Sequence, residues 1–370
     1  GLDGHLACVR SLGSLRRILS IKPDAGFKSP PSQCEREKTV SNVQLGFACA
    51  DYDRTRYIED GTVKPTGIDL NYIRLPVEDI FWRQSKFQEF DVSEMSFSAY
   101  LIFRSRPNPP FKAIPIFPSK FFRHSCVFIN KNAGIEKPED LAGRRIGVPE
   151  YAMTAIVWLR GTFHNEYGVD QTGVTWVTGG LEEWGRKERV DLNLPDSITV
   201  ESAPAPKTLN EMLDTGEIDA LFTARAPSSF TRPGSNIVRL FPNFKEVEID
   251  YYKRTGIYPI MHLVVIKESI LAEHPWVAQN LYEALCESKD VAIKTLEETG
   301  ALAATLPWLI DEIEVSKQVL GEDYWSYGVE ANRTTIEALT QYSFEQGLSE
   351  RKLSVEELFV EATLEDVVHL

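Results

Sequence analysis

Two of the six histidines in this 370-residue chain sit in settings unlike the others. His124 lies in the trio Arg123-His124-Ser125. His262 interrupts an apolar run, Tyr258-Pro259-Ile260-Met261-His262-Leu263-Val264-Val265-Ile266. Imidazole, with an ordinary pKa of about 6.5, can give and take a proton near neutral pH, so both are candidate acid–base groups. An isolated histidine in an apolar strand is, however, often simply packed. His5, His164, His274 and His369 stand in ordinary surroundings. Glu94 and Asp53 are the acids that could partner the two candidates. Two histidines and a carboxylate also form a permitted divalent-metal set, but these residues are too far apart in sequence for spacing to argue it. No metal site is assigned, and a divalent metal is left open. Arg54, Arg123, Arg160 and Arg225 supply guanidinium groups that can grip a carboxylate through two parallel hydrogen bonds. Arg160, almost two turns into its helix, is better placed as a brace.

A second kind of chemistry is suggested by GRRIGVPEYAMTAIVWLRG, residues 143–161. Strand, turn and helix follow one another there, which leaves unpaired backbone N–H groups at the helix start near Glu150, Tyr151 and Thr154. Such a turn attracts an anion, and Thr154→Val is expected to weaken anion binding with little loss of stability. Ser96 and Ser98 place hydroxyls at the start of another helix, and Thr223 and Arg225 follow the end of a strand. Trp158, Tyr100 and Tyr151 are candidate platforms for an aromatic ring.

These groups need elements to hold them. Strands are expected at residues 43–49, 68–75 and 90–95, alternating with helices, as a parallel βαβαβ unit whose strand ends line a crevice. Residues 111–118 and 123–130 read as two further strands. On a regular strand Arg123 and Ser125 face one side and His124 the other, so all three meet one pocket only if the strand bends. A second set follows: strands at 145–148, 174–177, 198–202 and 216–222, with helices from 154 and over 209–215. Beyond Lys267 the pattern is helical, at 275–296, 303–320, 334–345 and 355–359. Residues 123–130 and 258–266 then cross between two lobes. Two α/β lobes, a mixed and mostly parallel sheet in each, joined by a double crossover hinge and followed by a helical C-terminal region, describe the type II periplasmic-binding-protein-like architecture. The expected lobes are residues 42–127 with 259–370, and 128–258. Residues 1–41 read as a poorly ordered extension, with one short helix at 12–21 and a linker at 28–32.

Composition narrows the function classes. A formal net charge of −14 argues against nucleic acid as a partner. No apolar run reaches the length of a membrane span. The five cysteines are scattered without CxxC spacing and fit a reducing compartment. The first forty residues lack an uninterrupted apolar segment with a small-residue cleavage site, so a cytoplasmic location is expected. Self-association into a homo-oligomer is left open.

Several stretches together resemble the 4,5-dihydroxyphthalate decarboxylase family. They are ADYDRT (50–55), FDVSEMSFSAY (90–100), AIPIFPSKFFRHSCVFIN (113–130), GVPEYAMTAIVWLRG (147–161), EIDALFTARAPSSF (217–230), GIYPIMHLVVIKESI (256–270) and HPW (274–276). The charged segment around 182–191 matches least. The resemblance implies non-oxidative removal of one carboxylate from a hydroxylated aromatic dicarboxylate, giving 3,4-dihydroxybenzoate and CO2 from 4,5-dihydroxyphthalate. Protonating the ring carbon that bears the carboxylate, aided by a hydroxyl that can ketonise, lets CO2 depart without an electron-sink cofactor, so none is expected. His124, His262 and Glu94 are then the expected catalytic residues. Asp53, Arg54, Ser96, Ser98, Arg123, Ser125, Tyr151, Thr154, Thr223 and Arg225 are the expected substrate contacts. The rival reading on the same architecture is a solute-binding protein, a transport receptor or sensor, for a small organic acid. The pyrimidine-making enzymes of thiamine synthesis are a third reading, disfavoured by the lack of a cysteine-rich or histidine-rich reactive cluster.

Overall fold

The computed structural model describes residues 42–365. The extension, helix and linker expected within residues 1–41 lie outside the described residues. The chain begins with β1 (Val43–Cys49), α1 (Asp53–Glu59), β2 (Ile68–Arg74), α2 (Val77–Phe87), β3 (Val92–Ser96), α3 (Phe97–Ser105) and β4 (Phe111–Lys120). It continues through β5 (Val127–Asn130), β6 (Arg145–Val148), α4 (Thr154–Tyr167), β7 (Thr175–Thr178), β8 (Thr199–Ser202), α5 (Leu209–Thr215), β9 (Ala220–Phe222), α6 (Ser228–Thr231), β10 (Ile237–Arg239) and α7 (Phe244–Thr255). β11 (Ile260–Lys267) and a C-terminal set, α8 (Glu268–Glu273), α9 (Val277–Glu297), α10 (Leu309–Leu320), α11 (Arg333–Glu345) and α12 (Val355–Leu358), complete it.

Two sheets result. The first has the order β2-β1-β3-β11-β4, in which β1 runs parallel to β2 and β3 while β11 runs antiparallel to β3 and β4. The second has the order β10-β5-β9-β6-β7-β8, with β9, β6, β7 and β8 parallel and β5 antiparallel to β9 and β10. Buried parallel strands read as continuous apolar runs, and this is why IGV in β6 and ALF in β9 are wholly buried. The chain leaves the first sheet after β4 and returns to it in β11, so the two connections lie side by side between the sheets.

Two expectations are corrected by local geometry. Residues 123–130 are not one strand: His124–Cys126 form a 3₁₀ turn before β5, and this bend separates the side chains of the Arg-His-Ser trio. Residues 244–255, left without an element in the sequence reading, form α7, which closes on Gly256 at φ 68°. Among the described residues no helix is long and apolar enough to cross a membrane.

The helix that carries the 154–161 motif is held tightly. Trp158 Nε1 donates to the carbonyl of Ile260 in β11 at 2.8 Å, and a Cβ at Gly161 would meet the Tyr342 ring of α11 at 2.1 Å. Only glycine permits this approach of α4 and α11. α4 is thereby fixed between β11 of the first sheet and α11.

Candidate active site

β3 is the middle strand of the first sheet, and all five of its residues are buried. A carboxylate in such a strand is costly unless it is paired. Successive side chains alternate across a strand, so Glu94 and Ser96 share one face. His262 is register partner to Ser96, and Val264 to Glu94, which makes His262 the diagonal neighbour of Glu94 on that face. The two meet: His262 Nδ1 lies 2.6 Å from Glu94 Oε1. Glu94 also accepts from the Tyr52 hydroxyl at 2.6 Å, the Ala50 N–H at 3.1 Å and the Cys49 thiol at 3.6 Å. Burial on its own pushes this carboxyl up, but His262 and the other donors outweigh it and hold it below the usual carboxylate range. An ionised carboxylate only accepts, so Nδ1 carries the hydrogen and Nε2 is the ring nitrogen left for chemistry. Phe81 packs its ring against the imidazole, with centroids 4.8 Å apart.

His262 lines a cavity of about 200 Å³ between the two sheets. That is smaller than the roughly 300–1,000 Å³ typical of sites for drug-sized ligands and suits a single-ring molecule. Phe81, Met95, Ser96 and Ala99 line it from the first sheet, and the turn 152–155 lines it from the second. Thr154 joins the two sides: its Oγ1 lies 2.8 Å from Ser96 Oγ and 3.2 Å from Ser98 Oγ, and it accepts the Ser98 N–H at 3.1 Å. Thr154 is therefore a cap for α3 as well as a wall of the cavity. Thr154→Val strips a buried N–H of its acceptor and is expected to cost about 1–3 kcal/mol, read as a lowered denaturation midpoint. This reverses the expectation of little stability loss.

The anion-attracting turn before α4 is partly occupied from within. The Glu188 carboxylate accepts from the N–H groups of Tyr151 and of Ala152, the latter at 3.3 Å. Burial, with Glu150 nearby, pushes Glu188 up to about 7. Glu150 in turn holds Arg186 through Nε at 2.8 Å and Nη2 at 2.6 Å, and Arg189 through Nη2 at 3.1 Å. Both arginines line the cavity. The N–H groups of Thr154 and Ala155, further along the turn, have no protein acceptor among the described residues. Neither arginine nor Glu188 was singled out from sequence; the segment has no period, and its charge pattern was the sole signal.

Of the other expected contacts, Arg123 and Arg225 line the cavity. Arg225 pairs with Glu78 on α2, across from its own sheet. Arg123 donates to Met261 Sδ at 3.2 Å and Cys126 Sγ at 3.7 Å and makes no close ion pair among the described residues, although its charge acts on the Glu248 carboxyl. Ser98 is wholly buried beneath the cavity, where its hydroxyl donates to the Ala152 carbonyl. Like Ser98, five further expected contacts do not line it. Asp53 pairs with Arg54, and Arg54 donates to the Pro118 carbonyl and lies over the Tyr52 and Trp325 rings, a bracing role. Ser125 is buried in the bend, its N–H donating to Glu248 at 3.3 Å. Tyr151 is buried under Arg160, whose guanidinium lies 3.6 Å from the ring centroid. Thr223 is buried and accepts the Arg225 N–H at 3.3 Å. Trp158 and Tyr100 are core residues as well, the Tyr100 hydroxyl donating to the Leu358 carbonyl.

His124 is the main correction. The bend turns its ring into a cage of Phe241, Tyr251 and Tyr167, with centroids 5.1, 5.5 and 6.4 Å away. Neither ring nitrogen has a hydrogen-bond partner. Burial, then the charge of Arg254, push its pKa down to about 4. A group held neutral and away from the cavity is no proton donor there. Because its folded pKa lies below the unfolded 6.5, protonation of the unfolded chain costs stability as pH falls from 6.5 towards 4, by up to about 3 kcal/mol. Glu248, whose Oε1 lies 3.8 Å from His124 Nδ1, and Glu188 are both pushed up to about 7 and run in the opposite direction. The effect is therefore read as the difference between His124→Leu and wild type, with Glu248→Gln as the control for its neighbour. His124→Leu is expected to keep wild-type turnover and to gain in relative melting temperature as pH is lowered through that window.

The metal set open from sequence joins His124 and His262 with a carboxylate, Glu94 or Asp53, and the structure brings together only Glu94 and His262. Among the described residues no cluster of three or more His, Cys, Asp or Glu is placed to hold a metal.

Two open, mostly parallel sheets, crossed twice by the chain and enclosing a cavity of mixed polarity, define a two-lobed periplasmic-binding-protein-like fold; here the cavity wall carries a buried acid–imidazole pair. A curated relative from Comamonas testosteroni, 4,5-dihydroxyphthalate decarboxylase, is 37% identical over 326 residues, which span 88% of this chain and 99% of that protein. A protein of the same name from Pseudomonas putida is 39% identical over 219 residues, 59% of this chain and 85% of the relative. The chain belongs to the 4,5-dihydroxyphthalate decarboxylase family. No protein-family model matches it. Solved structures similar to it include the alkanesulfonate-binding protein from Xanthomonas axonopodis pv. citri (11% identity, 87% of this chain and 98% of that one, TM-score 0.47) and the periplasmic aliphatic sulphonate binding protein from Escherichia coli (10% identity, 86% and 92%, TM-score 0.49).

Proposed function

We propose that this protein is a carboxy-lyase that converts 4,5-dihydroxyphthalate to 3,4-dihydroxybenzoate and CO2 in the cavity between its sheets. The observation that carries the mechanism is the Glu94–His262 pair at the cavity wall. His262, protonated, delivers a proton from Nε2 to the ring carbon that bears the departing carboxylate. The hydroxyl para to that carbon gives up its proton and becomes a ring ketone. The carbon–carboxylate bond then breaks, its electron pair returns through the ring to that oxygen, and CO2 leaves. Reprotonation of the oxygen restores the catechol, so one proton is consumed overall. Glu94 fixes the ring nitrogen that faces the reaction. Arg123, which lines the cavity and makes no close ion pair among the described residues, is the cation placed to meet the oxygen on which charge collects. We take residues 42–127 with 259–370, and 128–258, as the lobes whose closure dries the cavity.

A cytoplasmic location belongs to the same proposal. Cys49, Cys126 and Cys286 are free thiols, as a reducing compartment would keep them. A small aromatic acid is the expected partner, rather than nucleic acid or a membrane. The test is to incubate the protein with 4,5-dihydroxyphthalate and to follow CO2 and 3,4-dihydroxybenzoate together. Equal formation of both supports the proposal. Saturable binding with neither product would make the protein a receptor.

A further inference from the structure

We infer that Arg189, held in place by Glu150, is the residue that selects the second carboxylate of the substrate: it grips the carboxylate that stays on the ring while the other is lost beside His262. The inference rests on the decarboxylase reading above and assigns to one side chain the choice that reading leaves open. The two carboxylates of 4,5-dihydroxyphthalate are equivalent by symmetry, so the site alone decides which one leaves. An ion pair to the departing group disappears as that group becomes neutral CO2, which stabilises the ground state more than the transition state. Strong cations therefore belong on the retained group, and an apolar surface on the departing one. Phe81, Met95 and Met261 line the cavity from the side of His262, with Arg123 against Met261, whereas Arg186 and Arg189, paired to Glu150, enter from the loop between β7 and β8.

Arg189 has the better geometry of the two. Arg186 spends two N–H groups on one oxygen of Glu150, while Arg189 spends Nη2 alone and keeps Nε and Nη1 without a protein acceptor among the described residues. Its guanidinium lies 5.7 Å from the Phe81 ring centroid, the same ring that touches His262 at 4.8 Å. The clamp and the proton donor thus share one aromatic neighbour, on the scale of a single substrate ring. The segment is also latched in both directions. Its Glu188 docks on the turn before α4, and that turn's Glu150 docks on its arginines, which removes freedom from the guanidinium before any ligand arrives.

The experiment compares three ligands on wild type, Arg189→Gln, Arg189→Lys and Glu150→Gln, each checked for a folded circular-dichroism spectrum. 4,5-Dihydroxyphthalate carries two carboxylates, 3,4-dihydroxybenzoate one and catechol none. Arg189→Gln is expected to weaken 3,4-dihydroxybenzoate and to raise KM for 4,5-dihydroxyphthalate, each roughly 10–100-fold, with catechol inhibition unchanged. Arg189→Lys, which keeps the charge but not the fork, should recover part of the loss. Glu150→Gln should weaken the same two ligands and spare catechol. Unchanged 3,4-dihydroxybenzoate binding in Arg189→Gln overturns the assignment, and so does an equal loss for catechol. Should Arg189→Gln fail to fold, Arg189→Lys decides by the same criterion. The binding arm needs no turnover: absence of CO2 from the wild type would reject the decarboxylase reading, while the ratio of losses for the mono-acid and catechol would still judge Arg189.

Discussion

Replacing His262 by Gln is expected to lower turnover of 4,5-dihydroxyphthalate by roughly 10²–10⁴-fold, the range of a lost general acid, with substrate affinity little changed. Gln can still donate to Glu94 from a side chain of similar reach, so the acid keeps a partner and the strand pair keeps its register. What it lacks is a proton that can be released near neutral pH. Single-turnover kinetics beside equilibrium binding of 3,4-dihydroxybenzoate separates the two effects. Wild-type turnover in a folded His262→Gln protein would transfer the role of donor to another group.

Glu94→Gln and Glu94→Ala should differ in kind. Gln keeps the volume and one acceptor oxygen but loses the negative charge beside the proton donor, so turnover is expected to fall by roughly 10²-fold with a modest loss of stability. Ala leaves the Tyr52 hydroxyl, the Ala50 N–H and His262 without their acceptor in a buried site. Breaking one partner of such a buried pair costs about 3–5 kcal/mol, visible in a denaturant midpoint. The pH dependence has a fixed sign. The folded carboxyl of Glu94 is held below its ordinary value, so its contribution is complete above the unfolded pKa and is lost as pH falls through the folded one. The difference in stability between wild type and Glu94→Gln should therefore shrink on acidification, and a difference that grew instead would mean that Glu94 is buried as the neutral acid.

The paired acid and histidine were legible in sequence for a physical reason. His262 interrupts a run that otherwise reads as fully buried strand, and a polar group in such a place must have a partner. Glu94, with Ser93 and Ser96 nearby, was one of two acids in view, and the register of β3 against β11 selects it over Asp53. The crossing of the chain between two sheets was legible from the order of strands and helices. The fate of His124 was not, because no Gly or Pro in Arg123–Cys126 marks a break in the strand, and the 3₁₀ bend that turns the imidazole into its aromatic cage is set by packing against α7. That helix was itself hidden: among its twelve residues only Tyr251 is buried, so the stripe that marks a helix is too thin to see. Arg54 looked like a ligand contact at a helix start, but Trp325 and Tyr52, distant in sequence from one another, sandwich its guanidinium. Arg186, Glu188 and Arg189 sit in irregular backbone, where no periodicity tells which side chains face inward.

The most direct test of the central claim sets the two histidines against each other. Wild type, His262→Gln and His124→Leu are mixed with 4,5-dihydroxyphthalate under single-turnover conditions, CO2 is measured, and 3,4-dihydroxybenzoate binding is recorded on the same samples. The account requires that all three proteins bind, that wild type and His124→Leu release CO2 at similar rates, and that His262→Gln releases it at least ~10²-fold more slowly. A silent His124→Leu beside an active His262→Gln would contradict it.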